Sequence, residues 1–383
     1  MLFGKEGQYV CSINIEGIDA EFMEHDDLEI LKIVEEAGNV LPTFALSFTT
    51  YLEDVMSKMN DGAIIKVSMG VDIENMEDYE LSVSKFSSEV VGNTNVKISC
   101  IGFASKINFI TDQPLQITAE KSGIEVAIET ASKNFKVDSN ITKSKDKMKW
   151  IQYSVTDKKF VSDCLLHSEI TDSFIASAIT ASGKYIIRDV KKYVKSLKGS
   201  YDWKFTKDND GKPNSIIIEG GLNISSRSGF INNWTGYKKI ANGINIKKKE
   251  TTDVFTEDTE VLLSLASELD KAKTITDRFS GTRILSDNVH ETYWECYEKN
   301  LKGLASLSRM GIPVSFSNEF RSVEPLQIAM YSQPSTNNED EASEYVTGLY
   351  IISNVTKTIQ ANMFNITCIL NREALNVVDN EGV

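Results

Sequence analysis

The chain has 383 residues, a formal net charge of −14, 41% hydrophobic and 25% charged side chains. Such a length exceeds one ordinary core, so two to four domains are expected, and the balance is that of a globular protein. The acidity excludes a general nucleic-acid binder, which needs a basic stripe. No apolar run approaches the ~20 residues of a bilayer-spanning helix, and Gly4, Lys5 and Glu6 stand where a signal peptide needs a basic start and an apolar stretch.

Ser, Thr, Asn, Ile and Val are abundant and only six prolines occur, which favours strands joined by polar turns. Tyr9 to Ile15, Phe44 to Phe48 and Ile64 to Met69 alternate apolar and polar residues, the period of a strand with one buried face. Asp26 to Glu36 reads equally as a helix or as a strand entering the Ala37-Gly38-Asn39 turn. From about residue 119 the period changes. Ile124, Ala127, Ile128 and Ala131 follow Ser122-Gly123 at helical spacing, and Thr156-Asp157 opens a second helix with Phe160, Val161, Cys164 and Leu165 inward. Phe174 to Thr180, Ser182-Gly183 and Tyr185 to Val190 read as a hairpin. Asp208-Asn-Asp-Gly211 predicts another hairpin turn between Tyr201 to Lys207 and Ser215 to Glu219. Helices are expected over Thr259 to Lys273 and Glu291 to Arg309, then strands after Gly311, an acidic loop from Gln333 to Glu344, and a closing strand pair that ends near Leu370.

One pattern occurs twice. Leu81-Ser-Val-Ser-Lys with Val96-Lys-Ile-Ser-Cys-Ile101 is echoed 268 positions later by Leu349-Tyr-Ile-Ile-Ser with Phe364-Asn-Ile-Thr-Cys-Ile369. Without a gap, Leu81 falls on Leu349 and Cys100 on Cys368. A second echo sets Asp61-Gly-Ala-Ile-Ile-Lys-Val-Ser beside Met310-Gly-Ile-Pro-Val-Ser-Phe-Ser. Two similar β-units with inserted material between them are therefore expected.

Chemistry-bearing patterns are sparse. Cys11, Cys100, Cys164, Cys296 and Cys368 are odd in number, widely spaced and set in apolar patterns, as buried free thiols are. Cys164 and His167 share a helix face, but no second pair completes a metal site, and His167 is expected at the helix border. His25 stands in an acidic cluster. Gly183-Lys184-Tyr185 lacks the residues of a phosphate loop, and Asp208 to Gly211 lacks the closing Glu of a calcium loop. Trp150, Trp203, Trp234 and Trp294 lie on different elements and read as core anchors rather than a sugar platform; Lys247-Lys-Lys249 reads as a solvated loop. The sequence thus assigns no catalytic, cofactor-binding or metal-ligating residue, and points to a structural or binding role.

The order of elements resembles the central baseplate hub proteins of tailed phages and related contractile injection systems. The resemblance runs from about Cys11 to Leu370. It rests on Asn60-Asp-Gly-Ala-Ile-Ile-Lys-Val-Ser68, on the Leu349 to Leu370 hairpin, on Trp150-Ile-Gln-Tyr-Ser-Val-Thr-Asp-Lys-Lys-Phe-Val with Thr156, Asp157 and Phe160 at its helix start, and on Gly183 to Val190. It implies an α+β, predominantly antiparallel fold with two tube-like β-barrel domains: 1–118, and 196–241 with 310–372. An α+β insert (119–195), a helix-containing insert (242–309) and a polar tail (373–383) complete the division. It further implies a non-enzymatic homotrimer whose six quasi-equivalent barrels match a sixfold tail tube to a threefold spike around an acidic channel. Its partners would be the tail tube or tube-initiator proteins, the spike, the tape-measure protein and other baseplate proteins. DNA would pass without specific binding, no membrane segment is expected, and the protein would reside in a virion assembled in host cytoplasm. The alternatives are a distal tail or tube-initiator component, a cell-wall hydrolase and a glycan-binding module.

Overall fold

The computed structural model describes residues 2–5, 7–18, 27–51, 53–92, 95–208, 210–220, 223–226, 239–245, 250–255, 263, 278–286, 288–307, 310–333, 343 and 346–373. The fold is α+β and mostly antiparallel β. Its first part holds β1 (Leu2–Lys5), β2 (Tyr9–Ile15), β3 (Leu28–Glu36), β4 (Thr43–Thr50), the short α1 (Glu53–Lys58), β5 (Ile64–Gly70), β6 (Met76–Val91) and β7 (Asn95–Ala104). The segment left open between helix and strand is β3. Leu28, Leu31, Ile33 and Glu35 point inward along it, the period-2 burial that a β-branched run supports. These strands lie side by side in the order β1-β2-β5-β6-β7-β4-β3, every neighbour antiparallel.

The next part has β8 (Gln116–Lys121), α2 (Gly123–Ala131), β9 (Lys136–Ser139), β10 (Met148–Gln152), α3 (Asp157–Leu166), β11 (Ile175–Ile179), β12 (Lys184–Asp189) and α4 (Val190–Ser196). Both expected helices form, the second from the expected cap at Thr156 and the first from a cap at Ser122. The Ser122 hydroxyl accepts from the Glu125 N–H while the Glu125 carboxylate accepts from the Ser122 N–H, and Thr156 Oγ1 accepts from the Lys159 N–H. The β11–β12 hairpin forms as expected, with β9 parallel to β12. These elements enclose their own core around Ile124, Trp150, Phe160, Val161, Cys164 and Tyr185.

Then follow β13 (Trp203–Thr206), β14 (Ser215–Ile217), β15 (Ser225–Ser226), β16 (Lys239–Asn245), β17 (Glu250–Phe255), β18 (Arg278–Leu285), α5 (Tyr293–Leu307), β19 (Met310–Ser317), β20 (Ile328–Tyr331), β21 (Gly348–Gln360) and β22 (Met363–Arg372). The turn expected at Asp208 to Gly211 does not make a hairpin. β13 and β14 are parallel, with Lys204 opposite Ser215, because the connection runs back along β13 and is pinned by Lys204 Nζ on Asp210 Oδ2 at 2.7 Å. The stretch expected to hold a helix over Thr259 to Lys273 lies outside the described residues apart from Leu263. Around it β17-β16-β18 form a separate three-stranded sheet. Helix α5 meets the expected helix within two residues at each end. Its Gly303 has no room for a side chain, since a Cβ there would lie 2.2 Å from the Phe174 ring.

The second set of strands continues the first sheet. β3 pairs with the far half of β21, from Asn354 opposite Glu36 to Gln360 opposite Ile30, while the near half of β21 pairs with β20. One 14-stranded sheet therefore spans both sets. Among the described residues one apolar cluster runs through both sets, with Cys11, Ile33, Leu46 and Cys100 from the first and Phe205, Val314, Val355 and Cys368 from the second.

Candidate functional site

The repeat is a structural duplication at the level of single hydrogen bonds. β7 and β22 correspond at an offset of 268: Cys100 opposes Leu46 and Cys368 opposes Val314, and Leu46 and Val314 are themselves 268 apart. Beside them the Ser47 and Ser99 hydroxyls meet at 3.0 Å, and Ser315 and Thr367 do the same at 3.0 Å. In each hairpin the first strand carries one extra residue, Ser84 between Val83 and Lys85, and Ser353 between Ile352 and Asn354. Each serine donates to the carbonyl opposite, Ile101 O and Ile369 O, both at 3.2 Å. A β-bulge twists and bends its strand, so two matched bulges bend the two hairpins alike.

Two alignments made from sequence need correction. The first strands of the hairpins correspond at 269, not 268, so Leu81 matches the buried Tyr350 rather than Leu349. The loops differ by one residue: Ala361 and Asn362, both with positive φ, close the second hairpin, whereas three residues separate Val91 from Asn95 in the first. The second echo also shifts. The counterpart of β19 is β4, with Leu46-Ser-Phe48 matching Val314-Ser-Phe316, and not the strand after Asp61-Gly-Ala. Every strand of such a sheet shares the same period, which is why alternation alone mispaired them.

The joint between the two sets is ionic and buried. Lys357 on β21 is 1% exposed and reaches Tyr79 Oη at 3.0 Å, Glu35 Oε2 at 3.5 Å and Glu77 Oε2 at 3.8 Å. The Ala181 N–H donates to Glu35 Oε1 at 2.7 Å, tying the turn between β11 and β12 to the same cluster. Burial works against the charge on Lys357, but Glu35, Tyr79 and Glu77 outweigh it and hold the ammonium above its ordinary pKa. Burial lifts the Glu35 carboxyl above the usual carboxylate range against the pull of Lys357. Burial also acts upward on Glu77, where Lys357 and the Ser322 and Tyr79 hydroxyls prevail and leave it below that range. A buried charge so enclosed is a registration device, because any slip of β21 along β3 would strand it.

A second cluster joins the end of α3 to α5. His167 caps the C-terminus of α3 and is buried there, 4% exposed. It stacks on Tyr293 with ring centroids 3.6 Å apart and on Tyr297 at 4.8 Å. Desolvation pushes its imidazole down to about 4, although the Tyr293 carbonyl 3.1 Å from Nδ1 acts upward. Asn300 secures the contact, accepting from the Ile175 N–H and donating to Leu166 O and Ser168 O. A neutral ring closed between tyrosines positions α5 and has no access to a substrate. Sequence reasoning had no signal for it, since the tyrosines lie 126 and 130 residues away.

All five cysteines are buried and unbonded, and burial pushes their thiols up, Cys100 to about 12 and Cys296 to about 11, so they are poor nucleophiles at neutral pH. Among the described residues no group of three or more His, Cys, Asp or Glu is arranged to hold a metal ion, and no helix is long and apolar enough to cross a membrane. Trp150 is buried, Trp203 donates to Gln327 Oε1 at 2.8 Å, and Trp294 donates to Ile284 O at 3.0 Å, so these three indoles anchor different elements. His25, Trp234 and Lys247 to Lys249 lie outside the described residues.

No family model and no curated protein sequence matches the chain. Solved structures do. A tail protein from Neisseria meningitidis superposes with a TM-score of 0.58 over 95% of this chain and 97% of its own, at 10% identity. The 43 kDa tail protein of prophage MuSo2 from Shewanella oneidensis gives 0.59 over 96% and 99%, at 9% identity. An Escherichia coli type VI secretion component, itself described as similar to the T4 tail proteins gp27 and gp5, gives 0.53 over 97% and 78%, at 9% identity. The chain thus shares its fold over nearly its whole length with phage tail proteins and a type VI secretion component.

Proposed function

We propose that this chain, which has the fold of phage tail and type VI secretion proteins, is the structural hub of a tail baseplate or a related contractile injection device. Three copies form a ring, and the two duplicated strand sets of each give six quasi-equivalent units. Such a ring adapts a sixfold tail tube to a threefold spike and lines the channel between them. The two units comprise 1–118 and 196–241 with 310–372, and the inserts 119–195 and 242–309 stand outside the repeat. The observation that carries this reading is the matched bulge, Ser84 on Ile101 and Ser353 on Ile369, because one chain that presents the same bent hairpin twice supplies two positions of a six-part ring.

The role is non-enzymatic. Protonated buried thiols and an enclosed neutral His167 support that, and an acidic chain of −14 suits a channel through which DNA slides without sticking. The partners are the tube or its initiator, the spike, the tape-measure protein and other baseplate proteins, in a virion tail put together in host cytoplasm. Mass photometry of the purified chain tests the ring. Three copies of 42.7 kDa give about 128 kDa. A six-membered ring points instead to a distal tail or tube-initiator component, and a monomer at every concentration counts against both.

A further inference from the structure

We infer that the outer edge of β6, Lys85–Val91, pairs in solution with the β15 strand of a second copy of this chain, with Ser87 opposite Ser225. The inference deepens the ring reading above and rests on it only for closure at three copies.

The two hairpins differ at one edge. Past its Ser353 bulge, β21 offers the edge Asn354–Gln360, and β3 fills it. Past its Ser84 bulge, β6 offers the equivalent edge Lys85–Val91, and among the described residues no strand pairs with it. The face that β3 helps to cover carries two apolar side chains in both. Val355 and Ile359 are 0% and 1% exposed, whereas their counterparts Phe86 and Val90 are 38% and 70% exposed. An open edge flanked by exposed apolar side chains is a template for another strand.

The missing strand has a counterpart in the same chain. β15 holds toward β19 the place that β3 holds toward β4: Ser225 opposes Gly311 as Val34 opposes Thr43. Beyond β15 no further strand is bound among the described residues. The open edge and the open strand stand at different places on one sheet path, so they meet between copies, head to tail. Repeated, that contact gives a ring when the rotation closes. Carrying the register of β3 on β21 across the duplication sets Phe86 against Ser226, Ser87 against Ser225 and Ser88 against Ile224 of the second copy. The positions of Glu35 and Lys357 become Ser226 and Ser88, so the buried ion pair of the in-chain joint is absent between copies. A contact that must form from free subunits thereby avoids desolvating a charge.

Cross-linking of full-length chains tests the register. The five native cysteines are buried. Ser87→Cys and Ser225→Cys chains, mixed and mildly oxidised, are expected to give a covalent pair that neither yields alone. The doubly substituted chain gives a ladder ending at three. Val91→Cys with Ser225→Cys, four positions out of register, gives no pair. Phe86→Lys with Val90→Lys, at positions exposed in the single chain, is expected to weaken self-association at least tenfold with an unchanged Tm. A three-copy ring that lacks the Ser87–Ser225 link, or that survives the double lysine, overturns this inference and leaves the hub reading standing. A chain that stays monomeric at every concentration overturns both.

Discussion

Lys357 brings a positive charge to a position with almost no exposure, and three acceptors from two strands answer it: Glu35 on β3, and Glu77 and Tyr79 on β6. Removing the cation leaves Glu35 uncompensated, so Lys357→Met is expected to lower stability by about 3–5 kcal/mol in urea unfolding. Adding Glu35→Gln to that background should restore part of the loss, because the orphaned charge goes with it. His167 makes a pH statement with a definite sign. Its folded value of about 4 lies below the roughly 6.5 of an unfolded histidine, so the fold binds fewer protons. The stabilisation is complete above about pH 6.5 and is lost as pH falls from there toward 4. His167→Phe, which keeps a ring between Tyr293 and Tyr297, should flatten the urea midpoint across that window.

At the scale of elements the bulged hairpin is the unit that was duplicated, and the two copies have drifted where their surroundings differ. Gly102 stands where the second copy has Leu370. A Cβ on Gly102 would lie 1.9 Å from the Ser82 carbonyl oxygen and 2.7 Å from the Phe44 ring, so the first hairpin is pressed closer at its bulge. Gly102→Ala is expected to destabilise by about 1–3 kcal/mol through overpacking, read as a fall in the thermal midpoint. The hairpin loops drifted as well, and the left-handed pair Ala361-Asn362 closes the second one tightly.

Across the whole molecule, the two strand sets are joined in one sheet. β3 is a member of the first set by its pairing with β4 and of the second by its pairing with β21. Tyr9 stacks on Phe364 at 5.0 Å and donates to Asn362 O, a second crossing of the boundary. Amide exchange should therefore show β3 and β21 opening in one shared event, near the global stability. Much faster exchange of β3 than of β21 would show that the sets unfold separately.

The sequence by itself determined the strand-rich class, the helix that follows Ser122-Gly123, the cap at Thr156, the β11–β12 hairpin and the existence of a repeat, because alternation, capping and turn chemistry act within a few residues. It placed Cys100 on Cys368 correctly, since the extra residue in the loop between β6 and β7 is balanced by one more residue between β19 and β21 than between β4 and β6. It missed the one-residue slip at the hairpin loop, the true partner of β19 and the parallel course of β13 and β14, since a period of two is common to every strand and carries no address. Only the tertiary structure decided that β3 lies along β21, that Lys357 faces Glu35 across 322 positions, and that no strand among the described residues covers the edge of β6. Those outcomes depend on which strands become neighbours in space, and chain-distant neighbours are selected by packing and charge pairing over the whole sheet, not by any local pattern.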